Sequence, residues 1–148
     1  MNNFDLKSYL KNNPLLTEGI DLPSTYSPER DKEYEKVIQR QIQDYIKGGS
    51  KGSLYLGKAP ITSLPDKLTK VGGGLNLENT PIASLPDNLE VGSWLNLERT
   101  EIASLPNNLK VGWNLSLYNT PLSGKHTKEE IRKMIEEKGG YVKGDIYL

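Results

Sequence analysis

The chain has 148 residues, in which nineteen Lys and Arg residues balance nineteen Asp and Glu residues, with one histidine and no cysteine. The balanced charge produces no net field that would recruit nucleic acid or an anionic membrane, so we expect neither as a partner. The lack of cysteine excludes disulfides, thiolate-bound zinc and a thiol nucleophile, and a single histidine excludes a histidine-rich metal site. We therefore expect no cofactor and no bound metal.

The N-terminal region, residues 1–27, has no basic segment followed by an apolar run, so we expect no secretory signal. No apolar stretch approaches the ~18 residues of a membrane span. These features predict a soluble protein of the cytoplasm. Pro14 and Pro23 interrupt the short apolar pattern at the start of the chain, which predicts one or two helical turns followed by an extended linker.

An amphipathic helix is predicted from residue 28 onward. Ser27 suits the N-cap position, and Pro28 suits the first helical position, where a missing N–H costs nothing. Apolar residues then recur at helical spacing on one face: Tyr34, Val37, Ile38, Ile42, Tyr45 and Ile46. A Gly-Gly pair at residues 48–49 ends the pattern. We expect this helix, within a capping segment of residues 1–51, to cover the open end of the repeats that follow.

The centre of the chain, residues 52–123, is repetitive. A Leu-x-Leu pair begins at residues 54, 75, 95 and 115, so the period is 20 or 21 residues, and Ser-Leu-Pro begins at residues 63, 84 and 104. A fixed period of this length is typical of a solenoid, in which each unit buries its apolar face against its neighbours. Leucines at i and i+2 share one face of a strand. Since proline cannot extend a ladder, Ser-Leu-Pro predicts an irregular return on the convex side.

The last segment, residues 124–148, is predicted to be a cap that combines a helix and a strand. Thr127 and Glu130 have the spacing of a capping box at the start of the helix. The apolar stripe that follows ends at a Gly-Gly pair. The final apolar pair, Ile146 and Leu148, repeats the Leu-x-Leu spacing, which predicts a fifth parallel strand.

The repeat unit, L-x-L-x-x-T-x-I-x-S-L-P-x-x-L, resembles the leucine-rich repeat family, specifically the short repeats of bacterial and bacteriophage proteins. The resemblance covers residues 52–123. It implies an α/β repeat: a leucine-rich repeat solenoid with one parallel β-sheet, an N-terminal helical cap and a C-terminal helix-plus-strand cap. It also implies a location in the cytoplasm of a bacterium or of an infected host cell. One departure is that the family's usual Asn after the strand is replaced by Thr80, Thr100 and Thr120, and by Ala59 in the first unit.

Side chains that alternate with the leucines are predicted to face outward, and in leucine-rich repeats this sheet face is the usual binding surface. The partner-binding candidates on or beside it are Tyr55, Asn76, Glu78, Trp94, Asn96, Glu98, Arg99, Tyr118 and Tyr147. Exposed tyrosines are common at interfaces. Neighbouring Asn76 and Asn96 are predicted to form an amide ladder. The second tryptophan, Trp113, has inward parity and is predicted to lie in the core.

Two features of this face allow two interpretations each. Trp94 either anchors a partner or covers the bare backbone of residues 72–74, which are three glycines. Glu78 and Glu98 are either an acidic patch for a basic partner or a solvated pair relieved by Arg99 or Lys58.

No arrangement of residues indicates catalysis. The single histidine, His126, has lysines around it and no predictable base or nucleophile, so it is predicted to be a solvated loop residue. The glycines at residues 72–74 precede a strand and not a helix, so they form no phosphate-binding loop. We therefore expect that the protein is not an enzyme.

The favoured function is a non-catalytic module that binds a protein partner through the exposed sheet face and the caps. Five strands at ~4.8 Å spacing give a face of roughly a few hundred Å², below the ~800 Å² per partner of a standard interface, so the caps must contribute. The alternative is a small structural or assembly component, encoded by a phage, that self-associates into a homo-oligomer through the C-terminal edge strand. Residues 4–10 are similar to short N-terminal segments of tailed-phage proteins, which supports this alternative.

Overall fold

The computed structural model describes residues 28–148, and the helical turns predicted within residues 1–27 lie outside this part of the chain. Its elements in chain order are α1 (Pro28–Lys47), β1 (Leu54–Tyr55), β2 (Lys70–Val71), β3 (Leu75–Asn76), β4 (Glu90–Val91), β5 (Leu95–Asn96), β6 (Lys110–Val111), β7 (Leu115–Ser116), α2 (Lys128–Glu137), β8 (Tyr141–Val142) and β9 (Ile146–Tyr147). Within these residues, both helices are too short or too polar to span a lipid bilayer.

The described strands form two parallel sheets. Sheet A has five strands in the order β1-β3-β5-β7-β9, and sheet B has four in the order β2-β4-β6-β8. The chain alternates between the sheets, so each coil of the solenoid adds one strand to each sheet. The predicted fold class, a solenoid of parallel strands with a helix at each end, is confirmed. The predicted fifth strand is β9, in which Ile146 pairs with Leu115.

Sheet B adds to the single sheet that the repeats predict. Its strands carry one buried valine each, and Val71, Val91, Val111 and Val142 pair in register. The residue before each valine is exposed or half-exposed, so every strand shows only one inward and one outward side chain. A strand of two residues is too short to show an alternating pattern in the sequence, so these strands were not predicted.

The core is a single cluster of aliphatic side chains enclosed between the two sheets and the Ser-Leu-Pro returns. Leu56, Leu77, Leu97 and Leu117 are fully buried at 0 % exposure, and burial of one such side chain stabilises the fold by about 1.5–3 kcal/mol. Both helices extend the cluster, with Ile38 and Ile42 from α1 and Ile131 and Ile135 from α2. The helices therefore cap the two ends of the solenoid, as predicted.

Both helices begin and end where the sequence indicates. Helix α1 begins at Pro28, and Gly49 beyond its end has a positive φ of 89°. Thr127 is the N-cap of α2 and accepts a hydrogen bond from the Glu130 backbone N–H at 3.2 Å. Gly139, at φ 85°, follows its end. Glycine is favoured at these last positions because other residues adopt a left-handed conformation only at a cost.

Three threonines are the buried polar side chains in the described part of the chain. Thr80, Thr100 and Thr120 are 1–5 % exposed. Their hydroxyls donate to the carbonyl oxygen three residues earlier, at 2.7 Å for Thr80 and Thr100 and 2.9 Å for Thr120. Each threonine therefore closes the turn that follows its own strand of sheet A, and its buried hydroxyl is satisfied.

In three successive coils, the corner that leads from sheet B to sheet A begins with glycine. Gly72, Gly92 and Gly112 occupy equivalent positions in successive coils. A methyl group on Gly92 would overlap the carbonyl oxygen of Gly72, and one on Gly112 would overlap the carbonyl oxygen of Gly92. Between these coils the backbones approach too closely for a side chain, whereas the last coil has Lys143 at the equivalent position.

The same corner explains a prediction that was wrong. Trp113 was assigned to the core from its parity, but it is 57 % exposed. Val111 and Leu115 lie in two different sheets, and the chain bends between them, so the alternation within either strand does not extend to Trp113. The rule that alternate residues share one face therefore gives the wrong orientation for Trp113, two residues before Leu115.

The first coil is held to α1 by the hydroxyl of Tyr45. It lies 2.9 Å from Ser50 O and 2.7 Å from Gly52 O, and it accepts from the Gly72 N–H at 3.2 Å. Burial raises the pKa of Tyr45 above its ordinary value of 10.0, while the hydrogen bond from Gly72 opposes this shift. The protonated hydroxyl is therefore the form that the folded state favours.

Replacing Gly92 with alanine should destabilise the solenoid by about 1–3 kcal/mol, because the new methyl group forces two coils apart. Gly124→Ala is the matched control, since a methyl group there would meet its nearest neighbour, Pro121 O, at an ordinary 3.7 Å. We expect the control to change stability by less than about 0.5 kcal/mol. Urea denaturation followed by circular dichroism measures both, and equal stability of the two variants would contradict the close approach.

Replacing Tyr45 with phenylalanine should lower the free energy of unfolding at pH 7 by about 1 kcal/mol, because its hydrogen bonds are lost. The folded pKa is raised, so the tyrosine's contribution is complete below about pH 10 and is lost as the pH rises towards the folded pKa. The gap between wild type and Tyr45→Phe should therefore shrink between pH 9 and pH 11. Urea denaturation at both pH values measures it, and a constant gap would contradict a buried, protonated hydroxyl.

Candidate functional site

The outward face of sheet A, called here the sheet A face, carries the predicted binding residues. Its middle row is set by strand register, which aligns Tyr55, Asn76, Asn96, Ser116 and Tyr147. These residues alternate with buried leucines and Ile146, so their side chains point away from the core. Trp94 precedes this row, and Glu78, Glu98 and Tyr118 follow it.

Aromatic side chains lie at the two ends of the sheet A face. Tyr55 on β1 is 49 % exposed, and Tyr118 and Tyr147 at the opposite end are 45 % and 36 % exposed. The Lys128 ammonium lies 5.9 Å from the centre of the Tyr147 ring, which links the face to α2. Four strand spacings of ~4.8 Å separate Tyr55 from Tyr147, or roughly 19 Å, and three separate Tyr55 from the coil of Tyr118, or roughly 14 Å.

Trp94 lies flat against the preceding coil. A methyl group on Gly74 would overlap the indole ring, so the ring covers the backbone there. The ring centroid lies 6.0 Å from that of Tyr55, with the planes tilted by 50°, a separation at which aromatic rings attract. Trp94 is half-buried. The position of Trp94 agrees with the interpretation in which the indole covers the glycine backbone.

The two carboxylates of the sheet A face have separate partners. Arg99 Nη1 lies 3.3 Å from Glu78 Oε1. Glu98 Oε1 accepts a hydrogen bond from the Ser116 hydroxyl at 2.6 Å. The geometry therefore supports the interpretation of a relieved pair, although an exposed ion pair of this kind contributes only about 0–1 kcal/mol. The backbone of Arg99 is left-handed, with φ 54°, and this turn directs its side chain across to the neighbouring coil.

The asparagines of the middle row order the turns that follow them. Asn76 Oδ1 accepts from the Glu78 N–H, and Asn96 Oδ1 accepts from the Glu98 N–H, both at 2.9 Å. No hydrogen bond joins the two amides in the described residues, so the predicted ladder between them is wrong. A side-chain amide contact of that kind occurs elsewhere, where Asn108 Nδ2 donates to Asn88 Oδ1 at 2.8 Å. Short Asn side chains prefer such local backbone acceptors and donors.

His126 has a partner that its sequence context does not indicate. Its Nδ1 lies 3.0 Å from Glu130 Oε2, one helical turn away at the start of α2. The Glu130 side chain thus contacts His126, while its backbone N–H donates to Thr127. Among residues 28–148, no three His, Asp or Glu side chains are placed to hold a metal ion together.

Two surface pockets lie away from the sheet A face. One, of ≈ 370 Å³, lies between α2 and the edge of β9 and is lined by Lys128, Glu129, Arg132, Lys133, Glu136, Asp145 and Ile146. The other, of ≈ 260 Å³, lies beside the Ser-Leu-Pro returns. The face itself is pleated and presents side-chain tips, a form that suits a macromolecular partner better than a small ligand, which needs a concave site.

Sequence reasoning missed a second exposed aromatic group. Trp113 is 57 % exposed and Tyr141 is 36 % exposed, and both lie outside the sheet A face. Lys143 Nζ lies 5.5 Å from the Tyr141 ring centre. Tyr141 directly precedes Val142, and the residues at the same position in the earlier coils are Lys70, Glu90 and Lys110. These charged residues indicate that the position faces outward, which could have identified Tyr141 as exposed.

Comparisons of this chain with protein-family models, curated proteins and solved structures found no significant match.

Replacing Trp113 with alanine should lower stability by less than about 1 kcal/mol, whereas removal of a core tryptophan costs about 3–5 kcal/mol. The chain has two tryptophans, so Trp113→Phe leaves Trp94 as the single indole and Trp94→Phe leaves Trp113. We expect acrylamide to quench Trp113 fluorescence more strongly than Trp94 fluorescence. Equal quenching, or a large stability loss in Trp113→Ala, would mean that Trp113 is buried after all.

Proposed function

We propose that this chain is a non-catalytic protein-interaction module that binds a protein partner through the sheet A face and the adjoining α2 cap. The observation that carries this proposal is the pair of aromatic groups at the two ends of the face, with Tyr55 49 % and Tyr118 45 % exposed. Tyrosine combines a large apolar ring with a polar hydroxyl, and it is enriched at protein interfaces for that reason.

The polar groups between these aromatics support the same function. Asn76, Asn96, Glu78 and Glu98 already have internal hydrogen bonds or an ion pair. A partner therefore meets side chains that are held in place, and little conformational entropy is lost on binding. The small face sets a limit on affinity, and we expect a dissociation constant of about micromolar or weaker if α2 does not contribute.

The repeats are proposed to be leucine-rich repeats of the short type found in bacterial and bacteriophage proteins, acting in the cytoplasm. This proposal depends on the repeat unit L-x-L-x-x-T-x-I-x-S-L-P-x-x-L and on the residues that line the core at those positions. The buried Thr80, Thr100 and Thr120 fill the place of the family's Asn by bonding within their own turns.

A second candidate function is assembly of identical chains through the edge of sheet A. The observation that favours it is the pocket of ≈ 370 Å³ beside Ile146 on the edge strand β9. A strand edge with space beside it can pair with a strand of another chain.

A pull-down from a cell lysate, read by mass spectrometry, tests both functions. We compare wild type with Tyr55→Ala/Tyr118→Ala, which removes exposed rings from both ends of the sheet A face. The matched control, Trp113→Ala/Tyr141→Ala, removes two exposed aromatic rings outside that face. A partner retained by wild type and the control but lost by Tyr55→Ala/Tyr118→Ala is the expected result.

Equal retention by all three proteins would overturn binding through the sheet A face. Recovery of only the tagged chain together with untagged copies of itself would favour assembly through β9.

A further inference from the structure

The carbonyl oxygens at the end of each sheet B strand accept an N–H from the next coil. Val71 O accepts from Gly92 N and Val91 O accepts from Gly112 N, both at 2.8 Å. Val111 O accepts from Lys143 N at 3.0 Å. The bond repeats at the same position in every coil, because the strands are in parallel register.

A second column of bonds runs two residues further along the corner. Gly73 O accepts from Ser93 N at 3.1 Å, Ser93 O accepts from Trp113 N at 3.0 Å, and Trp113 O accepts from Gly144 N at 2.9 Å. Every inner coil thus offers two carbonyl oxygens, at its valine and at its second corner residue, to the coil that follows.

In the last coil, the side chain of Arg132 occupies both positions. The equivalent carbonyls are those of Val142 and Gly144. Arg132 Nη1 donates to Val142 O at 2.5 Å, and Nη2 donates to Gly144 O at 2.7 Å. The planar guanidinium supplies two N–H groups in a fixed geometry. These two groups take the positions that the backbone N–H groups of a further coil would have. Buried Ile131 and Ile135, on either side along α2, hold the helix against the coil.

We propose that Arg132 is an edge cap, which completes the hydrogen bonds of the last coil and prevents that edge from pairing with a second copy of this chain. Carbonyl groups left open at a sheet edge attract the N–H groups of other strands. A second copy carries suitable donors on the same coil. Leu75, Leu95 and Leu115 each donate their N–H to the next coil, so Ile146 at the equivalent register position directs its N–H to the edge, and Leu148 follows two residues later.

The donors and acceptors are therefore self-complementary between two copies. Val142 O and Gly144 O are two residues apart, as are the N–H groups of Ile146 and Leu148. An antiparallel arrangement of residues 142–148 with the same residues of a second copy would match Val142 with Leu148 and Gly144 with Ile146. While Arg132 occupies the two carbonyls, this exchange is blocked, so the edge cap argues against the second candidate function, assembly of the wild-type chain through β9.

The test compares wild type with Arg132→Met, which keeps an unbranched apolar side chain and removes all the donors. The matched control is Lys133→Met, one residue away, where the side chain is 77 % exposed and has a long ion pair of 3.9 Å with Glu137. Sedimentation velocity over a range of concentrations measures the average mass. Amide hydrogen exchange at Tyr141 and Lys143, which donate to Leu109 O and Val111 O, shows whether the last coil stays folded.

The expected result is that the average mass of Arg132→Met rises towards that of a dimer at concentrations where wild type and Lys133→Met keep the same lower mass. Free guanidinium ion, well below denaturing concentrations, should reverse this rise. The proposal is overturned if Arg132→Met has the same mass as Lys133→Met at every concentration. It is also overturned if Tyr141 and Lys143 exchange as fast as in an unfolded chain, since Arg132 would then hold the coil together and not close its edge.

Discussion

Backbone hydrogen bonds between equivalent positions of successive coils hold the solenoid in parallel register. The N–H groups of Leu75, Leu95 and Leu115 each donate at 2.9 Å to the carbonyl preceding the next strand of sheet A. Because the register is constant, a residue type that recurs with the period becomes a column in space. Columns of leucine and valine form the core, and a column of glycine forms the corner. The outward residues between them form one continuous face.

At each end of this stack, a helix contributes one polar side chain to a corner of the backbone. At the first coil, the Tyr45 hydroxyl from α1 meets the carbonyls of Ser50 and Gly52. At the last coil, the Arg132 guanidinium from α2 meets the carbonyls of Val142 and Gly144. In both cases a helix supplies apolar side chains to the core and one polar side chain to the corner. A repeat array needs such caps, because its end coils otherwise present open backbone and bare core.

The repeat period made the strands of sheet A predictable, and the same Leu-x-Leu spacing at Ile146 and Leu148 predicted β9. The two capping helices were predictable from their capping residues and apolar stripes. Sheet B was not predictable in the same way, since each of its strands offers a single buried valine. Trp113 was misplaced because the corner resets the alternation of inward and outward residues. On the candidate face, the exposure of Tyr55 and Tyr118 follows from alternation, but the contacts of Trp94 with Gly74 and of Arg99 with Glu78 cross between coils. Such contacts depend on side-chain conformation, which a repeat pattern does not specify.

The parallel register of the coils is the claim on which the binding face and the edge cap both depend. Solution NMR can detect scalar couplings across hydrogen bonds, which identify the acceptor carbonyl of each amide directly. We predict correlations from the amides of Leu75, Leu95 and Leu115 to the carbonyls of Trp94, Asn114 and Asp145, respectively. Correlations displaced by one residue, or to carbonyls within the same repeat, would contradict the register and with it the alignment of the sheet A face.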